Sequence, residues 1–279
     1  MRFINLEDLL PKIEDLLPKL AEAQDRVMAE VDPEERARLI KTYQPRWVAL
    51  RAAMAEISEG KCWYVECRND GCDDDVDHFR PKLAVQEDPS HPGYYWLAFA
   101  WKNLRLSCHR ANRPRIHPET EVTGGKADHF PLLNPDLRAR TPSDRWQDEV
   151  PVLLDPTNPM DPSLLAFGLD GAVDLAPHCK GNAVAEARFV ASRELLHLDW
   201  PEFREARLRL FRRVQQLVER GSRGAPVPSY GSPPDEALMD AIRDLREAMS
   251  NKSEYSAAAR NYIETFRDVW WVREVVLRS

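Results

Sequence analysis

The residues most able to do chemistry are Asp77 and His78, adjacent in the stretch DVDHFRPK, followed by Asn103 in WKNLRL and Asn112 in CHRAN. Hydrolysis of a phosphodiester requires a base to activate water, a divalent cation to stabilise charge on phosphorus and leaving oxygen, and a way to align them. A neutral imidazole suits the first task, and a neighbouring carboxylate suits the second. Asn112 follows Cys108 by four positions, one helical turn, so its amide oxygen can join Asp77 on the same ion. Asn103 both donates and accepts, which fits it to tie a loop to backbone groups near His78. Singly, each has a plainer reading: an Asp-His pair is often a surface turn or a structural histidine, and asparagines often sit in turns and caps. Neighbours on a regular strand face opposite ways, so Asp77 and His78 serve one site only where the strand ends or bulges. The acidic turn Asp73 to Asp75 and Pro81 suggest such an irregular end.

Charge and cysteine usage sharpen this. The net charge of −7 argues against a protein that binds nucleic acid through its whole surface. Yet Trp101 to His117 holds Lys102, Arg105, Arg110, Arg113 and Arg115 with no acid, beside an acidic cluster at Asp70 to Asp77. Four of the five cysteines (Cys62, Cys67, Cys72, Cys108) fall in the same region, a pattern of metal binding or catalysis rather than of disulfides. Cys179 stands apart as a small core residue. No apolar run approaches the roughly 20 residues of a membrane span, and the start MRFINLEDLL lacks the basic opening and cleavage site of a signal peptide. A soluble, cytoplasmic protein is the expectation.

These residues need positioning elements. Apolar spacing predicts two helices over residues 5 to 58, divided at Asp32-Pro33, where Asp32 caps and Pro33 takes the first helical position. Val76 to Phe79 and Tyr94 to Ala100 look like strands, the second also compatible with helix. The aromatic run from Tyr94 to Trp101 is expected to pack the module onto the helices rather than stack on bases. From Phe130 to Pro162 a proline-rich segment reads as a strap across the surface. Asp170-Gly171 between apolar runs signals a hairpin. Helices are expected at about 182 to 197, 201 to 220, 234 to 249 and 253 to 277, with a polar break, RGSRGAPVPSYGSPPD, between the middle two. The fold class is thus mainly α with a small embedded α+β module, in three parts: residues 1–59, 60–135 and 136–279.

The order DH, then NL, then C-x-x-x-N resembles the HNH or ββα-metal nuclease motif, in which a hairpin supplies the base and a following helix a metal ligand. More narrowly, KCWYVE, DVDHFRPK, GYYWLAFAWKNLRLSC and HFPLLNPD are similar in order and wording to the HNH proteins of Septu-type antiphage defence and to retron-associated nucleases. The likeness is strong over about residues 60 to 135 and extends faintly to about 172. It implies His78 as general base, Asp77 and Asn112 on a catalytic Mg²⁺ or Mn²⁺, and Asn103 as a buttress. Arg80 and Lys82 of the RPK element would contact phosphate or hold the loop, with Arg110 and Arg113 in the nucleic-acid contact. It implies a DNA endonuclease acting with an ABC or SMC-like ATPase, in a complex and without a membrane.

Two departures matter. The family fixes its hairpin with a four-cysteine zinc site, but three residues after Cys62 stands Val65 and three after Cys108 stands Ala111. A residual zinc on Cys62, Cys67 and Cys108 would need Cys72 or His109 to complete it; otherwise apolar packing replaces the metal. Pro114 also limits any helix through Asn112. The rival function, in another class, is a catalytically degenerate HNH fold kept as a nucleic-acid-binding or assembly subunit; a third is a helical scaffold whose site region is only structural. The nuclease reading requires His78 to be reachable from solvent.

Overall fold

The structure is a computed structural model that describes residues 1–69, 71, 73–223 and 235–276. The N-terminal region is more segmented than two helices: α1 (Leu10–Ile13), α2 (Leu17–Ala29), α3 (Pro33–Thr42), α4 (Gln44–Val48) and α5 (Arg51–Ile57). Prolines explain the breaks. Pro11, Pro18 and Pro45 each fall in the first turn of a helix, the one place where a missing N–H is harmless. Asp32 caps α3, accepting from the backbone N–H of Glu34 and Glu35 at 2.9 Å each. The apolar faces of these helices, with Ile13, Leu20, Val27, Ile40, Trp47 and Met54, enclose Trp63, Phe99, Leu104 and Leu106 in one core.

The site region lies on that core. Strand β1 (Asp75–His78) pairs antiparallel with β2 (Leu104–Ser107), with Asp77 opposite Arg105 and His78 opposite Leu104. A short helix, α6 (His109–Asn112), follows directly and stops at Arg113, whose extended backbone is the conformation that a following proline imposes. Two small ladders come next in the chain, β3 (Arg115–Ile116) with β4 (Thr123–Gly124), and β5 (Leu165–Phe167) with β6 (Val173–Leu175) around the expected Asp170-Gly171 turn, where Gly171 has φ 84°. Tyr94 to Ala100 is not a strand: 3₁₀ turns form at Tyr95–Leu97 and Trp101–Asn103. Its rings are used for packing, as expected, with Tyr94, Trp96 and Phe99 buried.

The proline-rich segment is held by charge as well as by packing. The fully buried Glu149 side chain accepts from Tyr94 Oη at 2.7 Å, from Ala139 N at 2.9 Å and from Arg80 Nε at 2.8 Å. Farther along, Asp155 takes both ends of the Arg105 guanidinium at 2.7 Å, and Asp161 takes Arg188 at 2.6 and 2.9 Å while accepting from Asp155 N. Arg188 belongs to α7 (Ala183–Leu195), so a chain of ion pairs joins β2 through the strap to the C-terminal helices.

Those helices, α7, α8 (Pro201–Arg223), α9 (Glu236–Met249) and α10 (Ser256–Glu264), form a second core with Tyr64, Val65 and Ala111. The last expected helix is broken, resuming only as a π-type turn at Val272–Val276. Most of the polar break, residues 224–234, lies outside the described residues. Among them no helix is long and apolar enough to cross a membrane.

Removing one partner of a buried bidentate pair leaves an uncompensated charge, a loss of about 3–5 kcal/mol. Arg105→Ala should therefore lower the urea midpoint steeply, whereas Arg105→Met with Asp155→Leu should recover most of the stability. Equal destabilisation by the single and double variants would contradict the role of this pair.

Candidate active site around Asp77 and His78

Asp77 and His78 leave β1 on opposite faces, as the period of a regular strand demands, so the irregular strand end expected to turn both into one site does not form. His78 turns toward the N-terminal helices. Its Nε2 lies 2.8 Å from the Ala98 carbonyl, which fixes the proton on that nitrogen, and its ring meets the Trp47 ring edge-on at 4.9 Å. Nδ1 is left as an acceptor, and the Lys82 ammonium sits 3.3 Å from it. Burial, reinforced by the Lys82 charge, holds the imidazole pKa well below its ordinary value. The ring is therefore a neutral base with a defined lone pair. It is also only 3% exposed, and Lys82 stands at the one nitrogen able to accept a proton.

Asp77 faces the other way and is 5% exposed. Its Oδ2 accepts from Tyr64 Oη at 2.8 Å and its Oδ1 from Lys126 Nζ at 3.1 Å. Lys126 also donates to the His78 carbonyl at 2.7 Å. Asn112 does not reach Asp77 through a hydrogen bond; its Nδ2 bonds Asp75 Oδ2 at 3.0 Å, and Arg113 doubles up on the same carboxylate. The Asn112 amide oxygen is buried and has no partner among the described residues, and the same holds for one oxygen of Asp74, whose carboxyl is pushed up to about 6 by burial. Asn103 performs the tie expected of it: Oδ1 accepts from Arg80 N, and Nδ2 donates to the carbonyls of Arg80 and Leu97.

The cations expected at phosphate are engaged within the chain. Arg80 bonds Glu149 and lies over the Phe130 and Trp146 rings, so it holds the loop. Arg110 pairs with Glu202 at 3.0 Å and covers Trp200. Lys82 and Arg113 are placed as above. His129 pairs with Glu87 at 2.8 Å, and Arg105 is buried on Asp155.

The sulfur cluster is partly as expected. Cys62, Cys67 and Cys108 are buried free thiols, and Cys62 and Cys67 each share a hydrogen bond with Cys108. Burial pushes the Cys62 thiol far up, so it is protonated. Val65 and Ala111 fill the neighbouring core. His109 is turned toward Asp75 and Arg113, and Cys72 lies outside the described residues. Among the described residues no group of three or more His, Cys, Asp and Glu side chains is placed to hold a metal ion.

Lys126 is the functional-site residue that sequence reasoning overlooked. Its local signal is the Gly124-Gly125 pair before it. A Cβ on Gly125 would fall 2.3 Å from the Arg113 carbonyl oxygen, and one on Gly124 would fall 2.3 Å from the Glu194 carbonyl oxygen. Glycine at 125 lets this segment run close to the end of α6, where Lys126 N bonds Ala111 O and Ala127 N bonds Asn112 O, and glycine at 124 lets it pass the end of α7.

No protein-family model matches the chain. It is similar to the Septu protein PtuB of Bacillus mycoides (strain KBAB4), 35% identical over 120 residues, a match that covers 41% of this chain and 37% of that protein.

Proposed function

We propose that the chain is an HNH-type endonuclease that hydrolyses phosphodiester bonds in DNA, serving antiphage defence together with an ATPase partner. The observation that carries the chemistry is the His78 imidazole: neutral, with its Nε2 proton committed to Ala98 and its Nδ1 lone pair directed at the Lys82 ammonium. Support for the family comes from the order hairpin then helix in β1, β2 and α6, and from similarity to a Septu protein.

On this reading His78 Nδ1 takes a proton from the attacking water, and Trp47 and the Ala98 carbonyl keep the ring from turning. Lys82 must first leave Nδ1, and its natural destination is a phosphate oxygen of the substrate. Asn112 and Asp77 would hold the divalent cation; the orphaned amide oxygen of Asn112 and the carboxylate-rich face of β1 suit a hard ion. When bound, that ion supplies charge stabilisation at phosphorus and leaving oxygen.

The second reading, an assembly or binding subunit without catalysis, is favoured by two specific observations, the near-complete burial of His78 and its placement on the face of β1 opposite to Asp77. Nicking of supercoiled plasmid in Mn²⁺ decides between them. Activity present in the wild-type chain with its ATPase partner and reduced at least 100-fold in His78→Ala supports the nuclease; equal products from both reject it. A zinc on the three thiols is a separate proposal. Stoichiometric zinc in the purified chain would support it, and a folded, zinc-free chain would dismiss it.

The lowered pKa also has a sign. Below pH 6.5 the unfolded chain protonates residue 78 while the folded chain does not, so stability falls with acid by up to about 1.4 kcal/mol per pH unit until the folded pKa is reached. Wild type should lose more stability than His78→Phe between pH 6.5 and 5 in urea titrations. Parallel pH profiles would show that the imidazole is not held neutral.

A further inference from the structure

Lys126 has no exposed side-chain surface, and among the described residues its ammonium has two hydrogen-bond partners, Asp77 Oδ1 at 3.1 Å and the His78 carbonyl at 2.7 Å. The carboxylate it neutralises is the one that the nuclease reading gives to a divalent cation. Its backbone is fastened to the helix that carries Asn112, through Lys126 N to Ala111 O at 2.9 Å and Ala127 N to Asn112 O at 2.7 Å. The approach is forced: Ala127 takes φ 39°, a left-handed conformation unfavourable for alanine, and the two preceding glycines lie where no side chain fits. Meanwhile the Asn112 amide oxygen, on the adjoining turn, has no partner among the described residues.

We propose that Lys126 is a resident competitor of the divalent cation: its ammonium occupies the cation's place on Asp77 and must be expelled before an ion can bind. This rests on the placement of the ion in the nuclease reading. An ammonium and a divalent ion on one buried carboxylate repel each other with little screening, and both oxygens of Asp77 are already taken, by Lys126 and by Tyr64. The expelled ammonium, on a flexible four-carbon stem, needs an anion to receive it, and a substrate phosphate supplies one. Lys126 is thus a positioning residue that ties cation binding to the arrival of nucleic acid, and without nucleic acid the chain binds the cation weakly.

The test uses Mn²⁺ alone, with no nucleic acid. Free Mn²⁺ is measured by electron paramagnetic resonance for the wild type, Lys126→Gln, and Lys126→Gln with Asp77→Asn, and melting temperatures are recorded with and without the ion. The glutamine keeps a donor for the His78 carbonyl and removes the charge. The half-saturating Mn²⁺ concentration should fall at least tenfold in Lys126→Gln, Mn²⁺ should raise its melting temperature more than that of the wild type, and Asp77→Asn should abolish both gains. A variant that unfolds in the absence of metal should refold on adding Mn²⁺, because the ion replaces the lost ammonium. Unchanged Mn²⁺ affinity, a gain that survives Asp77→Asn, or an unfolded variant that Mn²⁺ fails to restore would overturn the proposal. Adding His78→Ala to Lys126→Gln should leave the Mn²⁺ gain intact, so this result is independent of whether cleavage is ever observed.

Discussion

A carboxylate buried on a β-strand has to find its counter-charge inside the protein, and Asp77 imposes that condition on the whole site region. Its own neutraliser is Lys126, from 49 positions along the chain. Its cross-strand neighbour Arg105 is also buried and is neutralised in turn by Asp155 of the strap. Two acids and two bases thus lie across one two-stranded sheet, with Tyr64 capping the remaining oxygen of Asp77. A pair of strands this short has little stability of its own. The charges recruit the distant segments that cover it, which is why the module around residues 60 to 135 shares its cores with helices on both sides.

The opposite face of β1 obeys another rule. There the polar group is an imidazole, and an imidazole can be buried neutral if each nitrogen is given a role. Ala98 takes the proton of Nε2 and Lys82 supplies a donor to Nδ1. Burial that keeps His78 basic in form also keeps it out of reach, so reactivity and accessibility are set against each other by one packing arrangement. On the nuclease reading the conflict is resolved by movement of Lys82; on the assembly reading it has no need of resolution.

Local chemistry was legible in the sequence wherever a few neighbouring residues decide the outcome. Asp32-Pro33 starts a helix and Asp170-Gly171 turns a hairpin because cap and turn geometry are settled within four residues. Asn103 was legible too, since its partners lie on the adjoining loop. The expectation failed where tertiary context decides. Tyr94 to Ala100, strand-like in composition and also compatible with helix, coils into a 3₁₀ turn because its rings are divided between two separate cores. The strip from Lys102 to Arg115 looked like one basic face, whereas Arg105 points inward to Asp155 and Arg113 is absorbed by Asp75. Lys126 was invisible because nothing near it in sequence says that a carboxylate waits 49 positions upstream.

The two lysines give the site a common logic. Lys82 covers the nitrogen that would accept a proton, and Lys126 covers the oxygen that would hold a cation. Both are ammonium groups on flexible stems, and both would be drawn off by the same kind of ligand, an oxyanion. In a chain of net charge −7 a polyanion is repelled at long range, and screening by salt confines that repulsion to about 8–10 Å from the surface. On the nuclease reading, opening both covers takes a phosphate that reaches the site against that short-range repulsion. A partner that delivers nucleic acid meets that requirement on the nuclease reading. The same two contacts, left permanently closed, would make a stable, inert scaffold, so mobility of the lysines, and not the presence of the histidine, is what separates the two functions.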